Sequence, residues 1–180
     1  MFFGYNNGVN QRLIYAVLVI LVILSIYSMG AGQWISLLLT LPAVIVAITF
    51  HEFAHAFAAD RLGDTTPRNQ GRLTLNPIAH LDLTGFVLLV FANIGWGKPV
   101  QVNPSNFNSN KSRGFCEAMV SLAGPLMNFI IAIVCCFAYT LLPMFANANF
   151  VYSSVGAIVL TILSVMITVN IGLGVFNLIP

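Results

Sequence analysis

His51, Glu52 and His55 stand at the end of a long apolar run, in the order His-Glu-Phe-Ala-His. On a helix, residues four apart share a face, so His51 and His55 can turn both imidazoles toward one metal ion, with Glu52 beside them. Zinc held by neutral imidazoles brings the pKa of a bound water to about 7. A neighbouring carboxylate can take that water's proton and pass it to a leaving amine, which would make Glu52 a general base and then a general acid. The plainer alternative is a hydrogen-bonded polar cluster that only glues helices together. By average residue usage a chance match falls in roughly one of several hundred chains of this length. The setting sharpens the signal. Residues Ile35 to Phe50 are almost wholly apolar, and a charged group at the centre of a membrane helix costs about 2.5 to 3.5 kcal/mol on insertion scales. Something must offset that cost, and one Zn²⁺ would.

The elements that position this motif follow from composition. Of 180 residues, 58% are hydrophobic and only 7% charged, too little polar surface for an ordinary soluble domain. The reading is an integral, multi-pass membrane protein in contact with a lipid bilayer. Net charge is +2 with scattered basic residues, so nothing points to nucleic acid. Three cysteines, with Cys135 and Cys136 adjacent in an apolar run and Cys116 apart, form neither a disulfide framework nor a metal knuckle.

Along the chain, residues 1–12 read as a polar N-terminal tail. Leu13 to Met29 is seventeen apolar or small residues, a retained first helix rather than a cleaved signal. A turn at Gly30 to Gln33 leads into a second helix, Ile35 to Ala59, which Pro42 is expected to kink. Residues Asp60 to Asn69 are polar. From Gly71 to Gly85 polar and apolar residues alternate on either side of Asn76-Pro77, which predicts a small membrane-associated β-hairpin over 71–85. Phe86 to Trp96 is apolar but too short to cross, so a re-entrant segment is expected. A polar loop follows over 97–117, then a third span from Ala118 to Leu142 and a last one from Val151.

The fold class expected is therefore an all-α polytopic membrane protein of about four transmembrane helices, one domain over 1–180 with no PDZ module. If Phe86 to Trp96 does not cross, all seven Lys and Arg residues lie on one side, which the positive-inside tendency makes cytoplasmic. The metal motif then lies toward the cytoplasmic face. A zinc hydrolase needs three protein ligands and an open position. Arg61 stands where an extended zincin motif would place a third His, and a distant Glu ligand could only be Glu117. Asp60, Asp64, His80 and Asp82 of the polar segment could each supply a ligand in reserve, but salt-bridged or hydrogen-bonded loop residues are the plainer reading.

Taken together the motifs resemble the site-2 protease family of intramembrane zinc metalloproteases. The segments that carry the resemblance are the His51 to His55 motif, Gly63-Asp64, Gly71 to Pro77 with His80 and Asp82, Gly95 to Val100, Ala123-Gly124-Pro125 with Asn128, and Phe176 to Pro180. The resemblance implies an endopeptidase acting in or near the transmembrane helix of a protein substrate, as in regulated intramembrane proteolysis. It implies His51 and His55 as metal ligands and Glu52 as the base. It places Asn177 at the scissile carbonyl or its oxyanion, and Asn128, with Leu75 and Asn76 of the hairpin, at the substrate. The family's third ligand is an Asp in a Leu-Asp-Gly motif following Asn-Leu-Ile-Pro. No residue here matches it, so the expectation is a chain cut before that motif or a natural variant without it. The competing reading is a non-catalytic relative that binds membrane substrates, or a metal-handling membrane protein. A prokaryotic cytoplasmic membrane is the expected location; substrate identity and oligomeric state are not written in the sequence.

Overall fold

A computed structural model of the protein describes residues 11–92, 96–108 and 110–179, with the backbone alone at 11–15, 18 and 89–92. Most of the expected N-terminal tail lies outside the described residues, as do Gly95, Ser109 and Pro180 of the segments named above. Two compact units divide at Ser36 and Leu37.

The first unit holds helix α1, Gln11–Ser28, and the first turn of α2, Ala31–Arg61. Gly30 precedes that turn, and its N–H donates to the Gln33 side chain at 2.9 Å. This is the backward half of a capping box, which satisfies one orphan donor at a helix start.

The second unit contains the rest of α2. That helix runs through Pro42 without interruption and buries Val44, Ala47, Ile48, His51, Ala54 and Ala59 at helical spacing. Its end is a Schellman motif around Gly63, with Asp64 N–H on Ala59 C=O at 3.0 Å and Gly63 N–H on Asp60 C=O at 3.1 Å. Gly63 has φ +104°, and a Cβ there would lie 2.8 Å from the Asn108 backbone nitrogen. Only glycine fits that stop. A short α3, Thr66–Asn69, is tied back to α2 by the Arg68–Asp60 ion pair at 2.6 Å.

The alternation over 71–85 does not give a hairpin. Residues 77–79 form a 3₁₀ turn whose first N–H groups are capped by Asn76, with Ile78 N–H on Asn76 Oδ1 at 3.1 Å, and helix α4, Leu83–Ala92, begins at once. The partner of this segment lies elsewhere: Leu81 makes an isolated antiparallel bridge with Gly97, and Lys98 N–H donates to His80 C=O at 2.8 Å. Period two reports an extended backbone with alternate burial, and says nothing about which chain segment is its partner. α4 does match the expected short apolar piece.

Helix α5, Arg113–Phe145, starts on a Ser112 cap and carries Pro125 within it. Cys116, Val120, Gly124, Asn128, Ala132 and Cys135 form its buried stripe. After α6, Ala148–Val151, helix α7, Ser154–Phe176, returns. Gly174 of α7 packs on the Phe129 ring of α5, where a Cβ would sit 3.1 Å away. Small residues let helices approach closely where lipid offers no hydrophobic drive between them.

Helices α2, α5 and α7 are long and apolar enough to cross a membrane. Their outer faces suit lipid, with Ile133, Val134 and Phe137 of α5 and Val155 and Ile158 of α7 exposed. The protein is an integral membrane protein, mostly helical, with three candidate spans among the described residues. α1 has 18 residues, against about 20 for a typical crossing.

Candidate metal centre

Helix periodicity brings His51 and His55 together as expected, with ring centroids 4.7 Å apart and planes at 82°. What aims them comes from α5, on three residues one turn apart. His55 Nδ1 lies 2.7 Å from the Val120 carbonyl oxygen, and His51 Nδ1 lies 2.5 Å from Asn128 Oδ1. Both partners present oxygens that accept, so each Nδ1 is placed to donate, and in a neutral ring so oriented Nε2 carries no proton. Between these anchors, Gly124 leaves the gap into which the two rings point. A Cβ there would collide with His55 Nε2 and come within 2.7 Å of His51 Nε2.

The two bare Nε2 atoms face each other at 3.1 Å. For two neutral rings that both donate from Nδ1 this is a repulsive arrangement, which a cation relieves. Two zinc–nitrogen bonds of about 2.0–2.1 Å at a near-tetrahedral angle put their nitrogens about 3.3–3.4 Å apart, so the pair fits such an ion with little movement. The other ring N–H of a metal-binding histidine is usually held by a carbonyl or carboxylate, which is the arrangement found here.

Glu52 is half-buried beside the pair, and its Oε2 accepts the Val100 N–H at 3.0 Å. The segment that supplies this donor is itself pinned. Asp64, fully buried, accepts from Thr66 Oγ1 at 2.6 Å and Asn103 N–H at 2.7 Å. It also accepts from Asn106 Nδ2 at 2.9 Å and Thr66 N–H at 3.1 Å. Burial alone would raise the Asp64 pKa, but these bonds together hold it below the usual carboxylate value. Buried Arg72 ties the same segment from the other end, through its guanidinium to the Ala79 and Lys98 carbonyls. His80 donates Nε2–H to Thr74 C=O at 2.7 Å. Burial first, and then the Arg72 charge, hold His80 below its ordinary pKa despite that bond.

A cavity of about 390 Å³ opens on His51, Glu52 and His55, walled by Pro99, Val100, Val102, Glu117 and Asn177. A second of the same size shares His51, Glu52, Pro99 and Asn177 and extends to Trp96, Leu173 and Phe176. Beyond it lies an apolar pocket of about 340 Å³ between α2 and α7, lined by Val44, Ala47, Ile48, Val169 and Gly172.

The structure thus brings Asn177 to the cavity wall, where its Nδ2 donates to its own helix at Leu173 C=O, 2.8 Å away. Asn128 is fully buried and bonded to His51. Leu75 and Asn76 are exposed, with the Asn76 side chain spent on its own turn. Of the reserve ligands, Asp64 is saturated and Asp82 accepts the Gly85 N–H at 2.8 Å. Glu117 reaches the cavity but pairs with Arg113 at 3.0 Å. Among the described residues no group of three His, Cys, Asp or Glu side chains is placed to hold an ion. Sequence reading missed the Val120 carbonyl and the Val100 N–H, because backbone groups leave no residue signature. It passed over Asn170, although a polar residue inside an apolar helix was the available signal.

Fold and site together give a helical membrane protein in which two histidines and a glutamate of one helix open on a single cavity. The chain belongs to peptidase family M50, the site-2 protease family, whose profile matches residues 39–180. One relative is "Putative zinc metalloprotease YwhC" of Bacillus subtilis, 40% identical over 137 residues, which are 76% of this chain and 60% of that protein. Rip2 of Mycolicibacterium smegmatis, similarly named, is 34% identical over 101 residues, covering 54% of this chain and 38% of Rip2. Rip2 of Mycobacterium tuberculosis is 36% identical over 94 residues, covering 50% and 35%. The chain therefore spans at most about 60% of the length of these relatives. No solved structure gives a significant match.

Proposed function

We propose that this protein is a zinc endopeptidase that hydrolyses peptide bonds in or near the transmembrane segments of other membrane proteins. The observation that carries the reading is the pair of bare imidazole nitrogens at 3.1 Å, set in a cavity wall with the Glu52 carboxylate. His51 and His55 would hold one ion, and when bound it supplies a Lewis acid that polarises the scissile carbonyl and acidifies a water. Glu52 takes the proton of the attacking water and delivers it to the leaving amide nitrogen. The Val100 N–H keeps one of its oxygens fixed while the other is left for that proton. Asn177, on the same wall, offers an amide N–H to the carbonyl oxygen as negative charge develops there.

The apolar pocket between α2 and α7 runs into the catalytic cavity through shared walls. That continuity favours an apolar substrate segment that unwinds locally, since an intact helix about 10 Å wide hides its peptide bonds. Pro99, Val100 and Val102 wall the same cavity, so such a segment would lie against them. By resemblance the family's remaining ligand is an Asp that follows Asn-Leu-Ile-Pro, the motif at residues 177–180, and a hydrolytic site requires such a third donor. α1 is read as a fourth crossing, and the polar loops with the metal centre as facing the cytoplasm. The metal-handling alternative explains the two histidines but gives no task to a carboxylate beside them.

The test uses the full-length protein reconstituted with a single-span membrane protein as substrate. Cleavage stops on chelation with 1,10-phenanthroline and returns with added zinc. Cleavage that persists in the chelator contradicts the proposal.

A further inference from the structure

One histidine is oriented by a backbone carbonyl and the other by a chain of side chains, and the second arrangement has a consequence for metal binding. Asn128 can present either end of its amide to His51. With Oδ1 toward the ring, His51 must donate from Nδ1 and keep Nε2 bare. Flipped, Asn128 would present N–H, His51 would have to accept at Nδ1, and its proton would sit on Nε2, where a metal binds. Two contacts decide between these states. Asn128 Nδ2 donates to Ala47 C=O at 3.2 Å and to Asn170 Oδ1 at 2.8 Å. Asn170 is in turn polarised by Met166, whose backbone carbonyl accepts from Asn170 Nδ2 at 2.8 Å. A backbone carbonyl cannot donate, so the direction of every bond from Met166 to His51 is set. Both asparagines are fully buried, which leaves no water to substitute for a missing partner.

We propose that Asn170 is a positioning residue of the metal centre: through Asn128 it fixes the proton of His51 on Nδ1 and so holds Nε2 open for the ion. The relay crosses three helices, from α7 through α5 to α2, and rests on the zinc reading of His51 and His55. Without Asn170, the shorter of the two bonds that oppose the flip is lost, and only the 3.2 Å contact to Ala47 remains.

Asn170→Leu keeps the volume and removes the acceptor. Asn170→Asp, protonated at this depth, keeps a carbonyl toward Asn128 and an O–H toward Met166. Zinc competition titrations on the full-length protein in detergent should show affinity lowered at least about tenfold in Asn170→Leu and kept within about threefold in Asn170→Asp. Histidine ¹⁵N NMR of the zinc-free proteins should find His51 protonated on Nδ1 in the wild type and in Asn170→Asp, and redistributed toward Nε2 in Asn170→Leu. A general packing defect would not move that signal. If Asn170→Leu does not accumulate, Asn170→Ala carries the same expectation. Wild-type affinity in the Leu or Ala variant, or equal weakening in Leu and Asp, overturns the relay. A wild type that binds no zinc, or a His55→Ala variant that binds as tightly as wild type, would instead undo the metal reading beneath it.

Discussion

A carboxylate's role depends on what its oxygens touch, and Glu52 and Asp64 show the two extremes. Glu52 keeps one oxygen toward the cavity. Asp64 gives both oxygens to four donors and serves as the clasp that keeps residues 103–106 against the end of α2. Because its folded pKa is depressed, its contribution is complete above the free carboxyl value of about 3.9 and fades as pH falls through the lower folded value. Asp64→Asn offers the same donors one acceptor in place of two. The protection factor of the Asn103 amide, its exchange relative to a free amide at the same pH, should therefore fall below about pH 4 in the wild type. In the variant it should be low already at neutral pH, with about 2–4 kcal/mol of local stability lost. Equal protection in both proteins at pH 7 would contradict the clasp.

At the scale of elements, α5 is the template and α2 carries the chemistry. Val120, Gly124 and Asn128 recur every four residues, and that stripe meets His55, both rings and His51 in turn, so the two helices run antiparallel here. Gly124 lies inside α5, and Ala in its place gains up to about 1 kcal/mol of helix propensity. Gly124→Ala should nonetheless lose zinc affinity by more than about tenfold, because its Cβ occupies the notch the rings point into, and the loss of a well-placed group typically costs that much. Thermal unfolding and zinc titration of the same sample separate the two effects. Unchanged affinity would show that the rings do not converge there.

How much was legible follows from the kind of signal each feature leaves. The pairing of His51 with His55 was readable because helix periodicity is local, and the three long spans because hydropathy is. The 71–85 hairpin was misread because alternation carries no information on partners, and the real partner, Gly97, is sixteen residues from Leu81. Asn128 was assigned to substrate by resemblance, but only the packed helices reveal its bond to His51.

For the whole molecule, the end of α2 and the start of α5 carry Arg61, Lys111 and Arg113, while the connection through α6 at the far ends of α5 and α7 carries no charge. Arg61 lies over the Phe57 ring at 4.7 Å and Lys111 over Phe115 at 4.4 Å, as cations near an interface do when their stems stay in apolar surroundings. From the positive-inside tendency we propose that these ends face the cytoplasm. In a variant lacking Cys116, Cys135 and Cys136, a cysteine at Tyr152 should react with an impermeant maleimide on intact cells. One at Lys111 should react only after permeabilisation, and the reverse pattern would invert the topology.

If His51, Glu52 and His55 form a hydrolytic zinc centre, Glu52→Gln removes its base while keeping the shape of the site and both histidine ligands. Zinc content and cleavage of a membrane-spanning substrate are measured on the same reconstituted sample. Zinc should be bound as in the wild type and cleavage slowed by about 10²–10⁴-fold. Cleavage at the wild-type rate with zinc retained would contradict that role for Glu52.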